Sequence, residues 1–78
     1  MAAGASDDLD ARLIAAYERG DGDAMVALYR EAGEAAEALG DVDRACFYFV
    51  HAYVFALETG HRDAESIRNR LKAHGRES

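Results

Sequence analysis

The sequence has no proline, a single cysteine and no apolar run long enough to span a membrane. Because Cys46 has no partner within the chain, an intramolecular disulfide is excluded, and a reducing compartment fits best. The longest apolar run, residues 45–57, contains His51 and is shorter than the ~20 residues that a membrane-spanning helix needs. The N-terminus has neither a basic region nor an apolar stretch, which argues against a signal peptide. We therefore expect a soluble, cytoplasmic protein with no membrane partner.

Basic residues are also scarce, with 9 Lys and Arg against 15 Asp and Glu, and the formal net charge is −6. Nucleic-acid binding depends on clustered cations that neutralise phosphates, so this acidic chain is not expected to bind nucleic acid. The charge is uneven, because residues 59–78 are basic while residues 1–58 carry most of the acids. This asymmetry could orient contacts between copies or with an acidic partner, although a basic last helix also suits its own dipole.

The absence of proline and the abundance of alanine predict an all-α protein. Gly20, Gly40 and Gly60 recur at a fixed interval of twenty residues and are suited to end helices, because glycine readily adopts the left-handed conformation. Asp21 and Asp41 follow two of them directly and are suited to cap the next helix. Asp23, Asp43 and Asp63 are expected in the first turns of those helices, and His61 makes the third boundary the least certain. The predicted helices cover residues 7–19, 22–39, 42–59 and 62–74.

The length of 78 residues allows one small domain. We predict a single helical domain over residues 7–74, with a disordered N-terminus at residues 1–6 and a frayed C-terminus at residues 75–78. The short connections favour four antiparallel helices in an up-down order. A compact four-helix bundle and a slightly superhelical array share this helix list, and the similar connections do not distinguish them.

The third predicted helix is apolar around nearly its whole circumference, which is typical of a helix that is buried on all sides. Its aromatic residues are Phe47, Tyr48, Phe49, Tyr53 and Phe55. Three small neighbouring helices cannot cover so many rings, so part of this surface is expected to be exposed or to contact another molecule.

One line on the third helix is polar, because Arg44, His51 and Glu58 are spaced seven residues apart. Tyr48 and Phe55 flank His51 on the face least suited to the core. We predict a binding surface or two-fold contact there, whose candidate residues are Phe47, Tyr48, His51, Val54, Phe55 and Glu58. The alternative is a partly buried His51 that hydrogen-bonds Glu58 or a backbone carbonyl.

The patterns of catalytic and metal sites are missing from the sequence. Cys46 and His51 lie ~140° apart around one helix, which disfavours a nucleophile and base pair. The three histidines lie on different predicted helices, and the Asp residues near the glycines lack the spacing of a calcium loop. We therefore predict no enzyme activity, no catalytic residues, no metal site and no cofactor.

Residues 29–57 form a helix-turn-helix pattern in which small residues recur around a Gly-Asp turn. The matching residues are Gly33, Gly40, Asp41, Ala45, Phe49 and Ala52. In these positions the chain resembles a tetratricopeptide repeat, but it departs from that family at Ala36, where Tyr is usual, and at Leu57, where Pro is usual. The helix pair also repeats at about 40 residues, against about 34 in the family. The resemblance implies a helical repeat protein used for protein contacts, with no catalysis and no transferred ligand.

We therefore expect a small protein-protein interaction module that forms a homodimer through its third helix. A monomeric adaptor that binds a peptide or helix of a larger protein partner is the first alternative, because a short repeat array leaves its faces open. A small-molecule sensor or enzyme is the second, and only Tyr48, His51 and Phe55 favour it.

Overall fold

The structure, a computed structural model, describes the backbone of residues 4–75 and the side chains of residues 8–75. Four helices make up this part of the chain, with no strand: α1 (Gly4–Arg19), α2 (Gly22–Ala38), α3 (Val42–Thr59) and α4 (Ala64–Ala73). The predicted all-α class is confirmed. The start of α1 at Gly4 lies three residues before the predicted one. The predicted disorder of residues 1–3 and fraying of residues 76–78 lie outside the described residues.

Left-handed glycines end the first three helices, as predicted, with φ angles of 68° at Gly20, 77° at Gly40 and 66° at Gly60. In each turn the amide of the following residue donates to a carbonyl oxygen in the last turn of the helix, at 2.8 to 3.0 Å. These carbonyls belong to Ala16, Ala36 and Ala56. The same C-terminal hydrogen bond therefore closes α1, α2 and α3.

Aspartates begin α2 and α3, also as predicted. The Asp21 carboxylate accepts a hydrogen bond from the amide of Ala24 at 3.0 Å, and the Asp41 carboxylate accepts one from the amide of Arg44 at 3.2 Å. Each cap satisfies an amide that has no carbonyl partner within its own helix.

The third boundary differs from the prediction, because α4 begins at Ala64 rather than at residue 62. Asp63 therefore precedes the first turn and makes no side-chain cap. The ring Nδ1 of His61 accepts a hydrogen bond from the Asp63 amide at 3.0 Å, which holds the connection in a turn.

Consecutive helices pack against each other, and the contact between α2 and α3 is the most extensive. A β-carbon on Gly22, at the start of α2, would collide with Thr59, at the end of α3. This pairing of opposite ends is compatible with the predicted up-down order. The Cα atoms span 35 × 29 × 13 Å, so the molecule is a thin slab.

The core lies between α2, α3 and α4. The ring of Phe49 is fully buried and faces Gly33, and the guanidinium of Arg70 lies 5.6 Å from its centroid. The other buried residues of this core are Val26, Ala36, Ala45, Cys46, Ala52, Ala56, Ile67 and Leu71. A second, smaller cluster of Ala16, Met25 and Leu28 joins α1 to α2.

Ion pairs join α4 to α2 along the edge of the core. Arg30 contacts Asp63 at 2.7 Å, and Glu37 contacts both Arg70 at 2.6 Å and His74 at 2.7 Å. These side chains are 24–44% exposed, so each arginine pair adds only about 0–1 kcal/mol, and the burial of Ile67 and Leu71 contributes more to holding α4.

Among the described residues, no helix has both the length and the apolar character needed to cross a bilayer.

We predict that Gly33→Ala destabilises the protein, although alanine is the better helix former. A β-carbon at residue 33 would lie 2.6 Å from Cε1 of Phe49, so the ring or the helix must shift. Such overpacking costs ~1–3 kcal/mol, against a gain of ~1 kcal/mol in helix propensity. We expect a net loss of about 1 kcal/mol, measured by urea denaturation with circular dichroism.

The matched control is the same substitution in a Phe49→Leu background. Because the smaller side chain leaves room for a β-carbon, Gly33→Ala should there be neutral or stabilising. A stabilising effect in the unmodified chain would contradict the close approach of α2 and α3.

Candidate functional site: the outer side of helix 3

The candidate site follows from how α3 is rotated against its neighbours. Phe49 and the other buried residues of α3 face the core, so the residues about half a turn away on the same helix face outward. Two surfaces result. One contacts Tyr29 of α2, and the other has large apolar side chains in contact with solvent.

An aromatic cluster occupies the first surface. The ring of Tyr29 stacks on His51 with a centroid distance of 5.2 Å and on Phe55 at 5.9 Å, and it lies 6.3 Å from Tyr48. The ring of Phe47 lies 4.5 Å from that of His51, in a tilted arrangement. Tyr48, His51 and Phe55, which the sequence predicts at the centre of a binding surface, are thus half-buried beneath Tyr29.

The His51 ring is held within its own helix. Its Nδ1 lies 2.8 Å from the carbonyl oxygen of Phe47, and because a carbonyl only accepts, Nδ1 carries the proton and donates. The contact agrees with the alternative predicted from the sequence, in which a partly buried His51 hydrogen-bonds a backbone carbonyl. Arg44 and Glu58, at the two ends of the polar line, are exposed, and Arg44 contacts Asp41 at 3.4 Å.

The second surface is a row of exposed apolar residues, here called the outer row. It consists of Phe47, Val50, Val54 and Leu57, whose exposed fractions are 57%, 45%, 46% and 58%. Their spacing of three, four and three residues places them on one face of α3 and is the spacing of a coiled-coil seam. Contiguous exposed apolar residues of this kind are typical of an interface.

The six predicted residues therefore divide between these surfaces. Phe47 and Val54 lie in the outer row, Glu58 is exposed beside it, and the other three lie in the aromatic cluster. The prediction omitted Val50 and Leu57, although their spacing from Phe47 and Val54 is a signal in the sequence. It also omitted Tyr29, whose contact with α3 has no signal in the sequence.

A groove between α1, α2 and α3 is a separate surface feature with a volume of about 340 Å³. Ala32, Ala35 and Ala36 line it on α2, and Leu9 and Tyr48 line it on α1 and α3. Its charged lining residues are Asp8, Arg12, Glu31 and Arg44. Leu39, at one end, is 85% exposed. The small side chains leave room for large apolar groups of another molecule.

Among the described side chains, no group of three or more His, Cys, Asp or Glu is placed to hold a metal ion. In the same part of the chain, no buried side-chain nitrogen or oxygen lacks a hydrogen-bond partner. Cys46 is a free, buried thiol in the core.

In comparisons with known proteins, the chain matches no family model, no curated protein and no solved structure. The resemblance to tetratricopeptide repeats stays a prediction from the sequence.

We predict that two neighbouring residues of α3 differ sharply in their effect on stability. Phe55→Ser removes a half-buried ring stacked on Tyr29 and should cost about 2 kcal/mol or more. Val54→Ser changes an exposed residue of the outer row and should cost less than about 1 kcal/mol. Urea denaturation at low protein concentration, where association contributes least, measures both. Equal losses would mean that the outer row is part of the core.

Proposed function

We propose that the protein is a small, non-catalytic interaction module that self-associates through the outer row of α3. The observation that carries this proposal is the set of four large apolar side chains, each about half exposed, on one face of one helix. The helix neighbours within the chain pack against its other faces. A second copy would supply the missing cover.

The size of the outer row supports a reversible dimer. Covering the exposed half of a large apolar side chain contributes about 1 kcal/mol, so two rows contribute about 8 kcal/mol in total. Association costs roughly 4–15 kcal/mol in lost translation, rotation and side-chain freedom. At the low end of this cost the two rows leave a net gain of about 4 kcal/mol, which corresponds to a Kd near 1 mM, and further contacts at the edges of the row lower the expected Kd into the high micromolar range.

We predict that Val54→Asp abolishes this dimer. The change would bury a carboxylate from each copy in an apolar contact, and two such penalties weaken the Kd by at least about 100-fold. Light scattering coupled to size-exclusion chromatography, over a concentration series, gives the molecular mass of each variant.

Ile14→Asp is the matched control, since Ile14 is 58% exposed on α1, away from the outer row. It should leave the dimer intact. If the unmodified chain stays monomeric at high micromolar concentration, or if both variants weaken the dimer equally, the proposal is wrong.

A monomeric adaptor is the second candidate, and the groove between α1, α2 and α3 favours it. Ala32, Ala35 and Ala36, which line it together with charged residues, leave room for the large apolar side chains of a partner helix. The exposed Leu39 would add apolar contact at one end.

We predict that, if the groove is used, Ala35→Trp weakens partner binding at least tenfold, because the indole fills the space that the partner needs. A helical peptide selected on the unmodified chain from a display library provides the ligand, and fluorescence anisotropy measures its Kd. Ala38→Trp, at an exposed position of α2 that does not line the groove, is the control. Equal affinity for both variants would exclude the groove.

A further inference from the structure

We infer that two copies pair with their α3 helices antiparallel, across a two-fold axis at the level of Ala52, with Arg44 of each copy beside Glu58 of the other. This arrangement rests on the self-association proposed above and specifies the partner as a second copy in one orientation. Two observations carry it: the symmetry of the outer row and the charges on the polar line beside it.

The outer row is symmetric about its own centre. Its members lie five and two residues to either side of Ala52, so Phe47 mirrors Leu57 and Val50 mirrors Val54. In an antiparallel pair, Phe47 therefore lies at the level of Leu57 of the second copy, and Val50 at the level of Val54. Phe47 of one copy would then contact Leu57 of the other at each end of the interface, and the four valines would contact each other at its centre.

The polar line adds charge complementarity to this order. Arg44, His51 and Glu58 follow the outer row along the edge nearest Phe47 and Val54. A two-fold axis perpendicular to the paired helices places this edge of both copies on the same side of the contact. Measured along the helix axis, Arg44 of one copy and Glu58 of the other then differ in position by only about 3 Å. The dimer gains two such pairs.

A parallel pair lacks this match. A two-fold axis along the helices would place the two polar lines on opposite sides of the contact. Each line would then face the edge near Cys46 and Tyr53, which offers no cation to Glu58 and whose nearest charge is Asp43, at the level of Arg44. Antiparallel helices also bring opposite dipole ends together, whereas parallel helices bring like ends together.

The orientation is tested with a short bis-maleimide on two variants, each of which adds one exposed cysteine to the buried Cys46. When Phe47→Cys and Leu57→Cys chains are mixed, the antiparallel arrangement predicts mixed dimers cross-linked between positions 47 and 57. Neither variant alone should cross-link efficiently, because the introduced cysteines of its two copies lie about 15 Å apart along the helix axis. The unmodified chain, with Cys46 buried, is the blank.

A parallel dimer would give the opposite result, with efficient cross-linking of each variant alone. That result would overturn the orientation and leave self-association through α3 standing. Absence of a dimer in the unmodified chain, measured by sedimentation, would overturn both proposals. If the cysteine variants weaken the dimer, cross-linking at saturating protein concentration still distinguishes the two orientations.

Charge exchange tests the cross-pair itself. Arg44→Glu and Glu58→Arg should each weaken the dimer about threefold to tenfold, because each change places two pairs of like charges together. The double variant should return to within about twofold of the unmodified Kd. Arg19→Glu, an equally exposed charge change on α1, should have no effect. Failure of the double variant to recover would overturn the pairing of Arg44 with Glu58.

Discussion

The close approach of α3 to α2, where the ring of Phe49 lies against the backbone at Gly33, is the contact on which the rest of the structure depends. Only a residue without a β-carbon leaves space for the ring at this distance. The contact fixes both the separation of the two helices and the rotation of α3 about its axis. Ile67 and Leu71 of α4 complete the same core. Once this rotation is set, the position of every other side chain of α3 follows.

Because the molecule is thin, the outer face of α3 has no neighbouring helix within residues 4–75 to cover it. Its shortest Cα extent of 13 Å is about the depth of two packed helices, so each helix must leave one face outward. For α2 the outward positions include small or polar residues such as Ala27, Glu31 and Ala38. For α3 they include the large apolar residues Phe47, Val50, Val54 and Leu57. The proposed self-association is a consequence of this mismatch between an apolar helix and a fold with too few neighbours to cover it.

The helix boundaries could be predicted from the sequence, because they depend on residues close together in the chain. The candidate site could be predicted only in part. Gly20, Gly40, Asp21 and Asp41 act within a few residues of themselves, so their roles in ending and capping helices are visible in the sequence. Asp63 differs from the prediction, because it precedes α4 and pairs with Arg30 of α2, a tertiary contact that has no signal in the sequence. The stack of Tyr29 on His51 and Phe55 is tertiary as well, and it covers rings that were expected at the centre of an interface. The number of aromatic residues drew the prediction to α3. The exposed face of that helix contains mainly aliphatic residues, which only their spacing reveals in the sequence.

The most direct test of the central claim is a dilution series of methyl NMR spectra on the unmodified chain. If α3 forms the contact, the methyl resonances of Val50, Val54 and Leu57 should shift together with concentration and fit one dimerisation constant. Those of Ile14 and Leu39, which are equally or more exposed elsewhere, should stay constant. Shifts confined to Ile14 or Leu39, or no shift up to high micromolar concentration, would contradict the account.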